Sequence, residues 1–370
     1  MKSKFFPALA VLVGTTIGAG FLGIPYVVAK SGFFPGLVYL VFVFLFIMLV
    51  KLYLGEISLR TKGNHQLTGY AHRYLGKPGR VLMFLAMILG IYPALIAYLI
   101  GEGRSLSYII SGSYNYVFVI SLAFWFVMCF LSYIGLKALK KYEKIAMVLV
   151  LALVALILIF FFKGIRIENL NYFNVDNLFM PFGVILFSFL AFSAMPEVER
   201  VLSGQEKLMK KVIVIGMAIP FLVYFLFMFV VVGNFGNTVQ EIATLSLGRF
   251  FSILGVLTMF TAYFTLSLAI RDMFRFDFKL GRFNGWLLAS LVPLILFLAI
   301  SVFKLASFID LLSFGGIVSG GLTGILVLLM NIKAKKLGNR KPEYSVKINW
   351  WIIALLSLVF ILAVIGELVL

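Results

Sequence analysis

The chain is poor in the residues on which soluble chemistry most often depends. Among its 370 residues there is one cysteine, Cys129, and there are two histidines, His65 and His72. A single cysteine excludes an intramolecular disulfide and any cysteine-cluster metal site. Both histidines fall in one basic loop, so a hydrolytic or metal centre on a soluble face has almost nothing to be built from. Charged residues are only 12% of the chain, and Asp and Glu together number 14. What remains is apolar: 63% of the chain is hydrophobic, which excludes an ordinary soluble globular domain.

The composition points instead to an all-α polytopic membrane protein. Runs of roughly 20 apolar residues are long enough to cross a bilayer. Eleven can be read off: 5–29, 34–59, 80–110, 115–136, 144–163, 178–199, 211–233, 246–274, 284–302, 307–332 and 349–369. The net charge of +18 then becomes a statement about orientation rather than nucleic acid. In alternate loops starting from the N-terminus, 25 of the 32 Lys and Arg lie on one side and six on the other, with Lys51 inside a span. The positive-inside rule puts the N-terminus in the cytoplasm and the C-terminus outside, in a plasma membrane. The first span has a basic start, but it is too long and too interrupted for a signal peptide and is read as a retained helix.

The interruption is Gly14-Thr15-Thr16-Ile17-Gly18-Ala19-Gly20-Phe21-Leu22-Gly23-Ile24-Pro25. Glycine, threonine and proline at that density weaken a helix at membrane depth. Irregular backbone is tolerated there only when buried in protein or lining a cavity, so the stretch is a binding-site candidate. Gly14 and Gly18 also make a Gly-x-x-x-Gly pair, whose plainer use is close helix packing. A second irregularity, Phe187 to Glu197, sets small and hydroxyl residues before Pro196; the plainer alternative is a proline kink.

These interruptions fall in the first and sixth spans. They open two blocks of similar length, 5–163 and 178–332, with 349–369 left as an accessory helix. Five spans plus five have opposite orientation. Interrupted segments at corresponding places in two halves point to an inverted-repeat secondary transporter with its substrate near the midplane.

Other residues carry two readings each. Lys51 is deep in the second span and is either functional or snorkels inward past Tyr53. Glu56 reads as interfacial. Tyr92, Tyr98 and Glu102 lie in the outer half of the third span, where Tyr98 places a hydroxyl at midplane height or the tyrosines are only an aromatic lining or belt, and where Glu102 meets a cation or a proton or else pairs with Arg104 among the headgroups. Thr258, Thr261 and Thr265 share one face of the eighth span, as part of an oxygen cage or bonded to their own helix. Asp310 is an outer gate or an interfacial acid, and Gly315-Gly316 with Gly320-Gly321 mark packing or a hinge.

Gly14 to Tyr26, continuing to Lys30-Ser31-Gly32, resembles the first-helix signature of the amino acid/auxin permease family. That family includes bacterial tyrosine, tryptophan and serine permeases within the amino acid-polyamine-organocation superfamily. Phe189 to Glu197 is similar to its sixth-helix segment. The resemblance implies a LeuT-type 5+5 inverted repeat, here with 11 transmembrane helices, and amino acid transport by alternating access. It implies that amides at Gly18, Ala19 and Gly20 take a substrate carboxylate. Carbonyls near Thr16, Leu190 and Ser193 take the ammonium, and Tyr98, Phe189 and Phe192 close over the side chain. Sodium-coupled relatives would use carbonyls at Gly14 and Ile17 with Thr261 or Thr265.

Ala262 follows Thr261 and Leu266 follows Thr265, so an adjacent hydroxyl pair is missing, and the fifth span has no lysine. The coupling ion stays open between H+ and Na+, with no other metal and no cofactor implied. The expectation is a symporter for a small-molecule substrate, a neutral amino acid, in a prokaryotic plasma membrane, with the lipid bilayer as its surroundings and no obligate protein partner. The alternatives are a channel or transporter for another small solute, or a membrane-embedded enzyme. The last is disfavoured because no intramembrane histidine or paired carboxylate is available for acid-base work.

Overall fold

A computed structural model describes residues 3–348 apart from 64 and 136–138; the expected helix 349–369, and with it the C-terminal side, lies outside the described residues. The chain runs as α1 (Phe5–Thr16), α2 (Ile24–Ser31), α3 (Phe33–Leu59), α4 (Leu67–Ser111), α5 (Val117–Ile134), α6 (Leu139–Phe161), α7 (Ile167–Leu170) and α8 (Met180–Phe189). It continues as α9 (Met195–Val201), α10 (Met209–Phe235), α11 (Ala243–Ser246), α12 (Arg249–Phe276), α13 (Arg282–Phe303), α14 (Phe308–Phe314) and α15 (Gly320–Leu337). Among the described residues nine helices are long and apolar enough to cross a membrane, and ten if α1 and α2 form one span bent by 42°.

Large side chains such as Phe6, Phe34, Ile159 and Phe160 stand exposed on the outside of the bundle. In water such a surface would aggregate, whereas against lipid it is the expected outer face.

Both interruptions break their helices. Thr15 and Thr16 donate their hydroxyls back to the carbonyls of Val11 and Leu12, a habit that loosens a helix end. After Thr16 the chain turns through an extended Gly18 (φ −91°, ψ −157°) and a tight Ala19–Gly23 turn before α2 begins with Pro25 in its first turn. The second break is not at Pro196. It lies five residues earlier, where Ala191 takes a left-handed conformation (φ +36°) that non-glycine residues rarely adopt. Pro196 sits in the first turn of α9, where its missing N–H is no loss.

Three further differences from the sequence reading have clear causes. The third span reaches back to Leu67, because Gly76 (φ +74°) lets a short helix in the basic loop join the membrane helix. Between α14 and α15 the Gly315–Ser319 turn is a π-helix. A Cβ on Gly316 would collide with the carbonyl of Gly183 and come within 2.9 Å of the Phe187 amide, so this glycine pair is a place of close approach to α8. After α15 the chain crosses back over the end of α3, where buried Glu56 accepts from Val346 N (2.9 Å), Ser345 Oγ (2.8 Å) and Arg60 Nε (2.9 Å). Glu56 is therefore a buried anchor for the segment after α15, not an interfacial acid.

Candidate functional site

The two breaks lie against each other. A Cβ on Gly20 would stand 2.8 Å from Phe187 Cδ1 and 2.9 Å from Ser188 Oγ, so only glycine permits the first break to touch the end of α8. Gly18 has more room, since its Cβ would meet Ala262 Cβ of α12 at an ordinary 3.5 Å. The Phe192–Ala194 turn of the second break also lies against α1.

The residue that joins the breaks is Tyr224, from the middle of α10. Its hydroxyl is shared between the carbonyl of Thr16 (2.6 Å) and that of Ser188 (2.9 Å). The Ser188 carbonyl loses its helical donor because α8 stops at Phe189. Gly18 N–H turns to the Thr16 carbonyl (2.8 Å), which likewise leaves the Gly14 carbonyl without its helical donor. Tyr224 is fully buried, with Phe21 stacked on its ring at 5.6 Å and Phe189 tilted against it at 4.9 Å. One side chain thus links carbonyls freed at both breaks inside an aromatic cluster.

Residues 1–243 match the tryptophan/tyrosine permease family. The chain belongs to that family. Among its curated relatives is glutamine transporter 2 of Aliivibrio fischeri, 25% identical over 257 residues. That match takes in 66% of this chain and 64% of the transporter, just under two thirds of the relative's length. Tyrosine-specific transport system 1 of Haemophilus influenzae is 25% identical over 322 residues, 79% of this chain and 80% of the relative. Tyrosine-specific transport system 2 of the same organism is 25% identical over 349 residues, 86% and 84%.

In this member of the permease family the expected site residues divide into two groups. Thr16 and Phe189 converge at Tyr224, Gly20 lies against Ser188 beside it, and Tyr98 is buried. Ala19 and Phe192 are buried beside them, each in its own break, and Ser193 is partly buried in the second. The side chain of Leu190 packs toward α15, where a Cβ on Gly320 would come within 2.9 Å of its Cδ2. Ile17 is buried, with its amide bonded to Val13 O at 2.8 Å.

The threonine face of α12 is turned to its own backbone. Thr258 donates to Leu254 and Gly255, Thr261 to Leu257 and Thr258, and Thr265 to Thr261, at 2.9 to 3.1 Å. The α12 side chain that faces Gly18 is Ala262. Asp310 closes a capping box with Ser307 at the start of α14, which accounts for it structurally.

For two ionisable side chains the structure removes one of the two alternatives that the sequence left open. Arg104 pairs with Glu241 at 2.6 Å rather than with Glu102, on the rim of an outer pocket of about 250 Å³ that Tyr114 and Gln240 also line. Glu102 is fully buried, and among the described residues neither carboxyl oxygen has a hydrogen-bond partner. Ser105, one turn on, and Thr244 of α11 have buried hydroxyl oxygens in the same condition. Lys51 does not snorkel. It is fully buried, and its Nζ meets Thr16 Oγ1 at 3.3 Å and Met217 Sδ at 3.1 Å.

Sequence reasoning passed over Tyr224. The only available signal was a hydroxyl in the middle of an otherwise apolar span, and nothing local says that it faces two breaks some 36 and 208 residues away.

Proposed function

We propose that this protein is a secondary active transporter that carries a neutral amino acid across the plasma membrane by alternating access, coupled to H+ or Na+. The observation that carries the reading is the Tyr224 bridge. Broken backbone from the first and sixth spans is brought to one buried point, and buried broken backbone in a membrane is where dipoles for a zwitterion are available. Family membership supports amino acids as the substrate class. The relatives' names support neutral ones, since tyrosine and glutamine both lack a charged side chain.

On this reading 5–163 and 178–332 are the two halves of a LeuT-type 5+5 inverted repeat, and 349–369 is accessory. Amides at Gly18, Ala19 and Gly20 receive the carboxylate, carbonyls of Thr16, Leu190 and Ser193 the ammonium, and Tyr98, Phe189 and Phe192 enclose the side chain. The hydroxyl of Tyr224 holds the empty breaks together, and substrate takes over part of that role. Rearrangement at the breaks then opens the site to the other side. Gly14, Ile17, Thr261 and Thr265 form the sodium site if sodium is the coupling ion, which requires the threonine hydroxyls to leave their helix carbonyls. The N-terminus is cytoplasmic and the C-terminus outside.

The test is the melting temperature of purified protein against the twenty amino acids in sodium and in potassium buffer, because a ligand that binds only the folded state raises it by mass action. Stabilisation by one side-chain class, matched by uptake of the same amino acid into proteoliposomes, is the expected result. Neither stabilisation nor uptake with any amino acid would move the assignment to another small solute.

A further inference from the structure

Lys51 is the one lysine that the described structure buries completely, and it is placed at the first break. Its Nζ lies 3.3 Å from Thr16 Oγ1, and Thr16 is the last residue of α1 before the chain leaves the helix. The Thr16 hydroxyl gives its own proton to Leu12 O at 2.7 Å, so toward Lys51 it can only accept. The Thr16 carbonyl is held in turn by Tyr224, which also holds Ser188 O. Thr16 thus ties the amine, through its side chain, to Tyr224 and both broken helices, through its carbonyl.

The surroundings of Nζ offer two acceptors, the Thr16 hydroxyl and the Met217 sulfur. Two is the number of N–H donors on a neutral amine, and an ammonium would bring a third N–H and a full charge. Among the described residues no ion pair involves Lys51, and no carboxylate of the neighbouring elements lies within ion-pair distance of it. α1 and α8 have no titratable side chain. α10 contributes Tyr224, whose hydroxyl is engaged at the breaks, and in its first turn the exposed cations Lys210 and Lys211. On α3 itself, Tyr53 bonds Lys347 O, and Glu56 is taken up by Arg60, Lys335 and the segment after α15, which also brings in Tyr344 to bond Leu52 O. On α2, Lys30 reaches outward to Asn237 O and lies over the Tyr26 ring. On α9, Arg200 Nε bonds the Pro196 carbonyl, and Glu197 and Glu199 flank the same turn. An intramembrane amine without a counter-charge is expensive to keep ionised, and is retained where ionisation does work.

We infer that Lys51 is the site at which the transported proton is carried. This rests on the transport reading above and selects H+ over Na+. Water on the side to which the site is open donates a proton to the Nζ lone pair, and the resulting ammonium gives it up to water on the other side, so each cycle moves one proton and one positive charge. Because the ammonium needs a further acceptor, its formation pulls on the Thr16 end of α1. Substrate binds the freed backbone more tightly while Lys51 is charged, and still binds, more weakly, when the proton has left.

The experiment uses the full chain in proteoliposomes, with an amino acid that the wild type exchanges. Wild type is expected to show exchange of labelled for unlabelled substrate without any gradient. With the outside acid by one pH unit and no membrane potential it should reach about tenfold accumulation, the factor one proton supplies. Lys51→Met, which keeps a flexible chain of similar length, is expected to exchange but not to accumulate. Its apparent substrate affinity should be flat with pH where that of the wild type changes by up to about tenfold per unit.

Accumulation by Lys51→Met equal to wild type overturns the role of Lys51 alone. Wild-type accumulation that follows sodium and ignores pH also overturns it and leaves amino acid transport standing. Wild type that exchanges no amino acid removes the transport reading and this inference with it. If Lys51→Met is not monodisperse, Lys51→Gln is the second variant. If both fold but neither exchanges, Lys51 serves substrate binding and not the proton. If neither folds, a wild-type affinity that does not change between pH 5.5 and 8.5 is enough to reject the proposal.

Discussion

Replacing Tyr224 with phenylalanine removes one oxygen and nothing else from the meeting point of the two breaks. The ring stays, with its contacts to Phe21 at 5.6 Å and Phe189 at 4.9 Å, so the change is close to a pure hydrogen-bond deletion. In the wild type the hydroxyl serves Thr16 O at 2.6 Å and Ser188 O at 2.9 Å. Thr16 O keeps a second donor, Gly18 N–H at 2.8 Å, so its loss is partial. Ser188 O loses the donor that replaced its broken helical bond, in a fully buried setting. A buried acceptor left without a partner costs about 1–3 kcal/mol, and the partial loss at Thr16 adds less than one ordinary hydrogen bond, about 1 kcal/mol. Tyr224→Phe is therefore expected to destabilise the protein by about 1–4 kcal/mol. The assay is reversible unfolding in mixed micelles, with Tyr224→Leu as a companion that also loses ring packing and should fall further. If Tyr224→Phe stays within about 0.5 kcal/mol of wild type, the bridge contributes nothing measurable and the joining of the breaks must rest on apolar packing alone.

Gly20→Val should abolish uptake while leaving insertion intact, since its side chain must displace Phe187 and Ser188 where even a Cβ has no space; normal uptake by this variant would remove the first break from the mechanism. Glu102→Leu should raise the melting temperature, because it removes two buried oxygens without partners, each worth about 1–3 kcal/mol when unmet; a lower melting temperature would mean that the carboxyl is satisfied in a way the described contacts do not contain. At the end of α12, burial pushes the Asp277 carboxyl above its ordinary range, against the opposing influence of the Thr68 hydroxyl and of the nearby Arg80 and His65 side chains. A raised value in the folded state means that the protonated form is favoured by folding. The gain is complete below the unfolded carboxylate range and is lost as pH rises through the raised value. Melting of Asp277→Asn against wild type should therefore show wild type gaining relative stability as pH is lowered toward 4, and a difference that does not vary with pH would contradict this.

The membrane character, the helices and the places where they break were legible in the sequence, because each depends on local chemistry. A run of apolar residues must span or be buried wherever it is, and the crowding of Gly14, Gly18, Gly20 and Gly23 with two threonines weakens a helix whatever surrounds it. The same held less well for the second break. Pro196 is the loudest local signal, yet the chain breaks at Leu190 and Ala191, where nothing but tertiary packing holds Ala191 at positive φ. A proline at the start of a helix and a proline that kinks one look the same in sequence.

Position in the fold settled the choices that composition left open. Lys51 could snorkel or be buried, and its stem is long enough for either; contact with Thr16 and Met217 from two other helices decides it. Glu102 and Arg104 are close in sequence and of opposite sign, so pairing was a fair alternative. They lie on different faces of α4, and Glu241, from the far side of the chain, takes the arginine. Tyr224 shows the limit most clearly. One phenol in an apolar helix carries no local mark of function, and its importance comes entirely from two carbonyls that the breaks of distant helices set free. The sequence by itself determined which segments enter the membrane and where their backbone hydrogen bonds fail, since those are properties of neighbouring residues. Only the tertiary structure decided which side chain answers the failed bonds, since that depends on helices meeting across the whole chain.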